Sequence, residues 1–193
     1  MIKKNTIMKK LLSFSVVLLA TINVIAQEVE LTNGIYEKKV VVNADSVKAG
    51  TLYVRALEAL SDLAGSQGKS KIGIDVQDKD EGLVVYKGSY FLGYGKANML
   101  YGWDTYADFT LKVRCKDGKA QLSLTVPSMT FQWDGDGHGI HTFEIAEFLP
   151  VYNYKGDYKI KKAAQQYAPT IPSSFDAIIN TISQRMLQEP DDF

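Results

Sequence analysis

The residues with the most chemical potential in this sequence lie in a short glycine-rich segment, residues 134–141. Its donor atoms belong to Asp134, Asp136, His138 and His141. Alternating carboxylates are typical of calcium loops, but the oxygen ligand at position five and the glutamate at position twelve of an EF-hand are missing. Two histidines with a carboxylate suit zinc, although the closed four-ligand set of a structural zinc site is not visible. A calcium or zinc site, with a metal-dependent hydrolase built on it, is therefore the alternative to a plain polar loop, and no other cofactor is predicted.

Two further sequence patterns could belong to a cofactor site or a catalytic site. The segment that begins Gly93-Tyr94-Gly95 resembles the start of a dinucleotide fingerprint, but Asn98 stands where the third glycine belongs, so we interpret it as an aromatic loop. The chain has two histidines and no Gly-x-Ser-x-Gly elbow. Neither pattern predicts an enzyme.

Aromatic side chains offer a different kind of site, namely a contact surface for a ligand or partner. Aromatic residues are frequent at interfaces, and they are equally frequent in protein cores. We predict that the contacts come from the sheet face or from the loops that carry these aromatics, and both the contact and the core interpretation stay open. The candidate residues are Tyr94, Tyr101, Trp103, Phe131 and Trp133.

The strands that must position these residues follow from one turn. Asp117-Gly118 suits a two-residue hairpin, and counting outward from it pairs Lys116 with Lys119 and Cys115 with Ala120. This register makes one face of the hairpin wholly apolar and the other wholly polar, which a slip of one residue would destroy. Cys115 therefore points inward and is interpreted as a core residue. As the single cysteine of the chain it forms no intramolecular disulfide.

The polar face of the same hairpin carries a group of cations, namely Lys112, Arg114, Lys116 and Lys119. We interpret them as a solvated sheet face, since exposed strands commonly carry lysine to discourage edge pairing. Beyond Pro127 the alternation changes phase, and we therefore predict a bulge or bend there. Either Phe131 and its neighbours then rejoin the core, or they form an exposed patch.

Helices are predicted on both sides of the strand region. Apolar residues recur every three or four positions over residues 46–64, after a turn at Asn43 and Asp45 that supplies the N-cap. A second helix is expected over about residues 174–188, capped by Ser173 or Ser174. The order is strand, helix, four or more antiparallel strands and helix. It predicts an α+β fold, a curved antiparallel sheet with two helices packed on one face.

The N-terminus has the form of a secretory signal. Four lysines precede an apolar run from Leu11 to Ile25, and cleavage is expected after Ala26. The run is short for a membrane anchor, and Gln27 after the cleavage point excludes an N-terminal lipid anchor. The mature chain of residues 27–193 then holds 18 basic and 22 acidic residues, a net charge of −4, and suits one domain. We expect a periplasmic or secreted protein without a membrane span.

The strand around residues 40–42, the helix over residues 53–63 and the stretch over residues 76–88 together carry a resemblance. They resemble an uncharacterised family of exported bacterial proteins, domain of unknown function 4468, over about residues 35–130. That family implies a fold like the TATA-binding protein and brings no known catalytic residues. DNA binding does not follow, because the mature chain is acidic and exported. The sequence thus predicts a non-enzymatic secreted binding or interaction module for an unknown protein or small molecule.

Overall fold

The structure is a computed structural model, and it describes residues 31–66, 68–96, 102–133, 139–148 and 155–188. These residues form a sheet and a helical layer. The strands are β1 (Tyr36–Asn43), β2 (Lys71–Asp78), β3 (Leu83–Lys96), β4 (Gly102–Lys116), β5 (Lys119–Trp133) and β6 (Ile140–Glu144). The helices are α1 (Ala49–Ser66), α2 (Tyr158–Tyr167) and α3 (Ile171–Leu187). This order confirms the predicted α+β class.

The sheet is antiparallel, with the strand order β1-β5-β4-β3-β2. Strand β6 lies on the same edge of β5 as β1, because β1 pairs with the first half of β5 and β6 pairs with the second half. Strands β4 and β5 are therefore central, since each has a neighbour on both sides. Strand β2 is an edge strand, and its Ile74 and Val76 are exposed.

The predicted hairpin register is confirmed from Lys116 opposite Lys119 to Leu111 opposite Leu124. The predicted bulge at Pro127 is also present. Pairing passes from Thr110 opposite Thr125 to Asp108 opposite Ser128, so the β5 strand has one extra residue there. Because side chains alternate across a strand, the extra residue turns Met129 and Phe131 back into the core.

Helices α1 and α3 cover one face of the sheet, which we call the inner face. The apolar stripes of both helices are buried as predicted, with Leu52, Ala56 and Leu60 of α1 fully inaccessible. Phe175 of α3 packs on Phe109 of β4, with ring centroids 5.3 Å apart. The opposite, outer face carries no described helix.

Two predicted helix starts were wrong. Asp45 does not cap α1; instead the carboxylate of Asp117, at the hairpin tip, accepts a hydrogen bond of 2.8 Å from the backbone N–H of Ala49. This bond is the main cause that lowers the pKa of Asp117, and Lys48 lowers it further. Helix α3 begins at Ile171, before Ser173 and Ser174, with Pro172 in its first turn, where a missing N–H costs nothing.

Helix α2 was not predicted from the sequence. Asp157 caps it by accepting from the backbone N–H of Lys159. The helix buries only Ile160, Ala163 and Ala164, so its apolar stripe is too narrow to stand out in the sequence. No described helix is long and apolar enough to span a membrane.

Candidate functional site

The most distinctive surface of the described chain is a group of cations on the outer face of the sheet. Lys112, Arg114 and Lys116 are exposed alternate residues of β4, and Lys119 of β5 lies on the same face. Leu111, Val113 and Cys115 between them point inward and are buried. We call these four cations the cationic strip.

The sequence predicted that these cations form a solvated sheet face, and their exposure on the outer face agrees with that prediction. Lysine on an edge strand blocks pairing with another chain. Strands β4 and β5 are both paired on two sides along the strip, so these cations protect no edge. Edge protection is therefore not the reason for the cations on this solvated face.

Some cations of the described residues are paired with a carboxylate and others are not, and the cationic strip differs in placing four cations without a carboxylate within 4 Å side by side. Lys48, Lys69 and Lys87 each lie within 3.0 Å of a carboxylate oxygen. Within the described ranges, no member of the strip has a carboxylate within 4 Å. In addition, Lys116 and Lys119 lie directly opposite each other, an arrangement of like charges that destabilises a sheet.

A surface hollow lies within the cationic strip. Its volume is about 290 Å³, and three of the four cations line it together with apolar and amide side chains. The lining residues are Val41, Arg114, Lys116, Lys119, Ala120 and Gln121. Val41 is 55% exposed, so the hollow offers both a positive wall and an aliphatic wall. A ligand with a negative charge and a short apolar part would contact both walls favourably.

The outer face changes character along β4. Four residues before Lys112, the carboxylate of Asp108 accepts hydrogen bonds from the hydroxyls of Ser89, Ser128 and Thr130, at 2.5, 2.9 and 2.7 Å. These bonds hold Asp108 in place at the middle of the face. A negative charge therefore bounds the cationic strip on this side.

The predicted aromatic contact residues are divided by the structure. Phe131 is fully buried and Trp103 is 3% exposed, so both are core side chains and not an exposed patch. Trp133 is half-buried, with its ring centroid 4.7 Å from that of Trp103 and with the Lys159 ammonium 5.5 Å above it. Tyr94 is half-buried in β3, and Tyr101 lies outside the described residues. Ligand binding by any of them stays a prediction.

The aromatic loop predicted around Gly93 is strand instead. Residues 93–96 belong to β3, and helix α2 packs directly on Gly93 and Gly95. A Cβ atom at Gly93 would lie 2.4 Å from the ring of Tyr167, and one at Gly95 would lie 3.0 Å from Ala163. The Tyr167 hydroxyl donates a hydrogen bond of 2.8 Å to the Tyr94 carbonyl. The two glycines therefore serve close packing of helix on strand.

The predicted metal site falls mostly outside the described residues. Asp134, Asp136 and His138 are among the residues that are not described, and His141 lies on β6. The His141 ring contacts Trp103 and Phe143, with centroids 5.7 and 6.4 Å apart. The described residues contain no group of three or more metal-ligating side chains, and the site at residues 134–141 stays untested.

Cys115 has the environment of a core residue, as predicted. It is 3% exposed, and burial raises the pKa of its thiol to about 11. The thiolate is the nucleophilic form of cysteine. Near neutral pH this thiol is therefore protonated and enclosed.

The fold places this chain in a known structural class. A curved antiparallel sheet with helices on one side is the TBP-like α+β arrangement, and a crystal structure of a TBP-like protein from Parabacteroides distasonis shares it. The two have a TM-score of 0.50 at 11% identity, with 81% of this chain and 97% of that one covered. At such an identity the likeness concerns the fold alone.

The family is given by a sequence model. Residues 39–130 of the 193-residue chain match the family described as a domain of unknown function (DUF4468) with TBP-like fold, and over these residues the chain is similar to that family. A DUF4468 family protein from Bacteroides ovatus has a TM-score of 0.56 at 13% identity, with 86% of this chain and 93% of that one covered. No curated protein sequence matches the chain. The family resemblance is confirmed, and it brings no activity.

Proposed function

We propose that the mature chain is an exported, non-enzymatic binding module that contacts an anionic partner with the outer face of its sheet. Export follows from the signal-like residues 1–26, with cleavage near Ala26 and a periplasmic or secreted location. The binding role is carried by one observation. The cationic strip lies on central strands, has no carboxylate within reach among the described residues, and sets Lys116 against Lys119.

Like charges that face each other without an anion between them lower the stability of the free protein. A chain folds more stably when such positions hold neutral or opposite charges. A bound anion removes the repulsion, so the same residues that weaken the free molecule stabilise a complex. Complementary charge also accelerates encounter and makes binding sensitive to salt.

A non-catalytic role fits the state of the thiol on the inner face. Cys115 is enclosed on the inner face and its raised pKa keeps it protonated. The cations of the strip bind and orient anions, but none of them is placed beside a described carboxylate or histidine that would accept a proton. Binding is thus the activity that the geometry of this face supports best.

The proposal is tested with chemically defined anions. Mature protein that starts at Gln27 is titrated with labelled poly-L-glutamate, inorganic phosphate and phosphatidylglycerol vesicles. The same titration is made with a double charge reversal, Lys116→Glu with Lys119→Glu. At least one probe should bind, and the double variant should weaken that binding about tenfold or more.

A matched control changes the same charge elsewhere. Lys155 and Lys162 are exposed and lie in or next to helix α2, away from the outer face. The variant Lys155→Glu with Lys162→Glu has the same net charge as the double variant of the strip and should bind as the unmodified protein does. Equal weakening by both double variants, or no binding of any probe, would overturn the proposed function.

A further inference from the structure

We infer that the partner of the cationic strip is an extended, acidic polypeptide segment with carboxylates on alternate residues. This inference rests on the proposed function, and it adds the chemical class and the conformation of the partner. It is drawn from the spacing, the width and the neighbours of the strip.

The spacing comes from the strand itself. Lys112, Arg114 and Lys116 are alternate residues of β4 on one face, so successive side chains start about 6.6–6.8 Å apart. An extended peptide repeats its own side chains at the same distance. Three carboxylates on alternate residues of such a peptide therefore meet the three cations of β4 in register.

The width of the strip favours a single chain over a planar surface. The cations occupy β4 and the start of β5. Lys39 of β1 and Lys87 of β3 lie on the same face, but each of them has a carboxylate oxygen within 3.8 Å. Asp108 lies farther along β4, and Glu37 lies on β1 opposite Thr125. An anionic bilayer would bring its headgroups over these carboxylates as well, whereas one extended segment lies along the cations alone.

The neighbouring side chains add contacts that suit a peptide. Gln121 lies opposite Arg114 and Ser123 lies opposite Lys112 on the outer face, where an amide and a hydroxyl can bond to peptide carbonyl groups. The Arg114 guanidinium can bind a carboxylate in a bidentate manner. Val41, opposite Gln121 on the far side, offers an aliphatic surface.

The decisive experiment compares two labelled peptides of equal composition by fluorescence anisotropy. One has three glutamates that alternate with threonine, and the other has the three glutamates contiguous within threonine. We expect the alternating peptide to bind mature protein about threefold tighter or better. The double neutralisation Lys112→Gln with Lys116→Gln should weaken the alternating peptide about tenfold. Raising NaCl from about 0.05 M to about 0.5 M should weaken both peptides.

The controls separate this inference from the proposed function. The Lys155→Glu with Lys162→Glu variant should keep the preference for the alternating peptide, and circular dichroism checks that each variant is folded. Equal affinity for the two peptides, or tighter binding of phosphatidylglycerol vesicles or inorganic phosphate, overturns the inference. If such binding still depends on Lys116 and Lys119, the proposed function stands, and if no probe depends on the strip, both fail.

Discussion

Gly93 belongs to a Gly-x-Gly pattern that resembles the start of a dinucleotide fingerprint, but the structure explains this glycine by close packing. Its φ of 153° is one that other residues rarely adopt, and the ring of Tyr167 occupies the space of a side chain. Next to it, Gly95 admits Ala163. The Gly-x-Gly pattern therefore marks the place where helix α2 approaches β3, and it marks no phosphate site.

The variant Gly93→Ala should lower the free energy of unfolding by about 2 kcal/mol, because the new Cβ atom both strains the backbone and collides with Tyr167. Urea denaturation followed by tryptophan fluorescence measures the loss. Gly118→Ala is the matched control, since Gly118 also has a positive φ but has open space at its Cβ position. If both variants lose the same stability, the collision with Tyr167 contributes nothing.

In strand β5, one extra residue decides which side chains point to the inner face of the sheet on either side of the bulge. Leu122, Leu124 and Val126 point inward before the bulge, and Met129 and Phe131 point inward after it. Pro127 lies at the bulge, between the part of β5 that pairs with β1 and the part that pairs with β6 along the same edge. A proline is tolerated there because its missing N–H leaves no ladder hydrogen bond unmade.

Insertion of one alanine directly after Pro127 should prevent stable folding, because the residues after it would change face and bring Ser128 and Thr130 into the core in place of Met129 and Phe131. The expected loss approaches the whole stability of a domain, about 5 kcal/mol or more, and is measured by the loss of cooperative thermal unfolding. The replacement Pro127→Ala keeps the residue count at an exposed position and should change stability by less than about 1 kcal/mol. A folded insertion variant of near-normal stability would contradict this account of the bulge.

The whole molecule separates its charges by face. Helices α1 and α3 bury the inner face of the sheet, while the cationic strip occupies the outer face of a chain whose residues 27–193 carry a net charge of −4. Local charge therefore opposes the overall charge. Because exposed charges act over about 10 Å at ordinary salt, an anionic partner near the strip responds to the strip and not to the net charge.

The single variant Lys119→Glu should raise the free energy of unfolding of the uncomplexed protein by about 0.5 kcal/mol, because a cross-strand repulsion with Lys116 becomes an attraction. The gain should vanish at about 1 M salt, where exposed pairs are screened. Thermal unfolding at low and high salt measures both effects. Lys162→Glu changes the same charge on α2, and an equal gain in that variant would show that the repulsion is not local.

The sequence by itself determined the features that depend on neighbouring residues. The Asp117-Gly118 turn set the hairpin register, the change of phase at Pro127 indicated the bulge, and the apolar stripes located α1 and α3. Turn chemistry and side-chain periodicity are local properties, so they can be inferred from short stretches of chain. The same register placed Cys115 inside and the cations outside.

Only the tertiary structure decided which strands are central, what packs on each glycine and what caps each helix. The sequence did not show that the cations of β4 lie on a central strand, because it did not show that β1 and β3 flank the hairpin. The packing role of Gly93 could not be inferred from its neighbours, because Tyr167, which packs on it, lies 74 positions away in the chain. Likewise, α1 takes its cap from Asp117, 68 positions away from Ala49. Such contacts join residues that are distant in sequence, and no local pattern encodes them, because their energy depends on how the whole chain closes around one core.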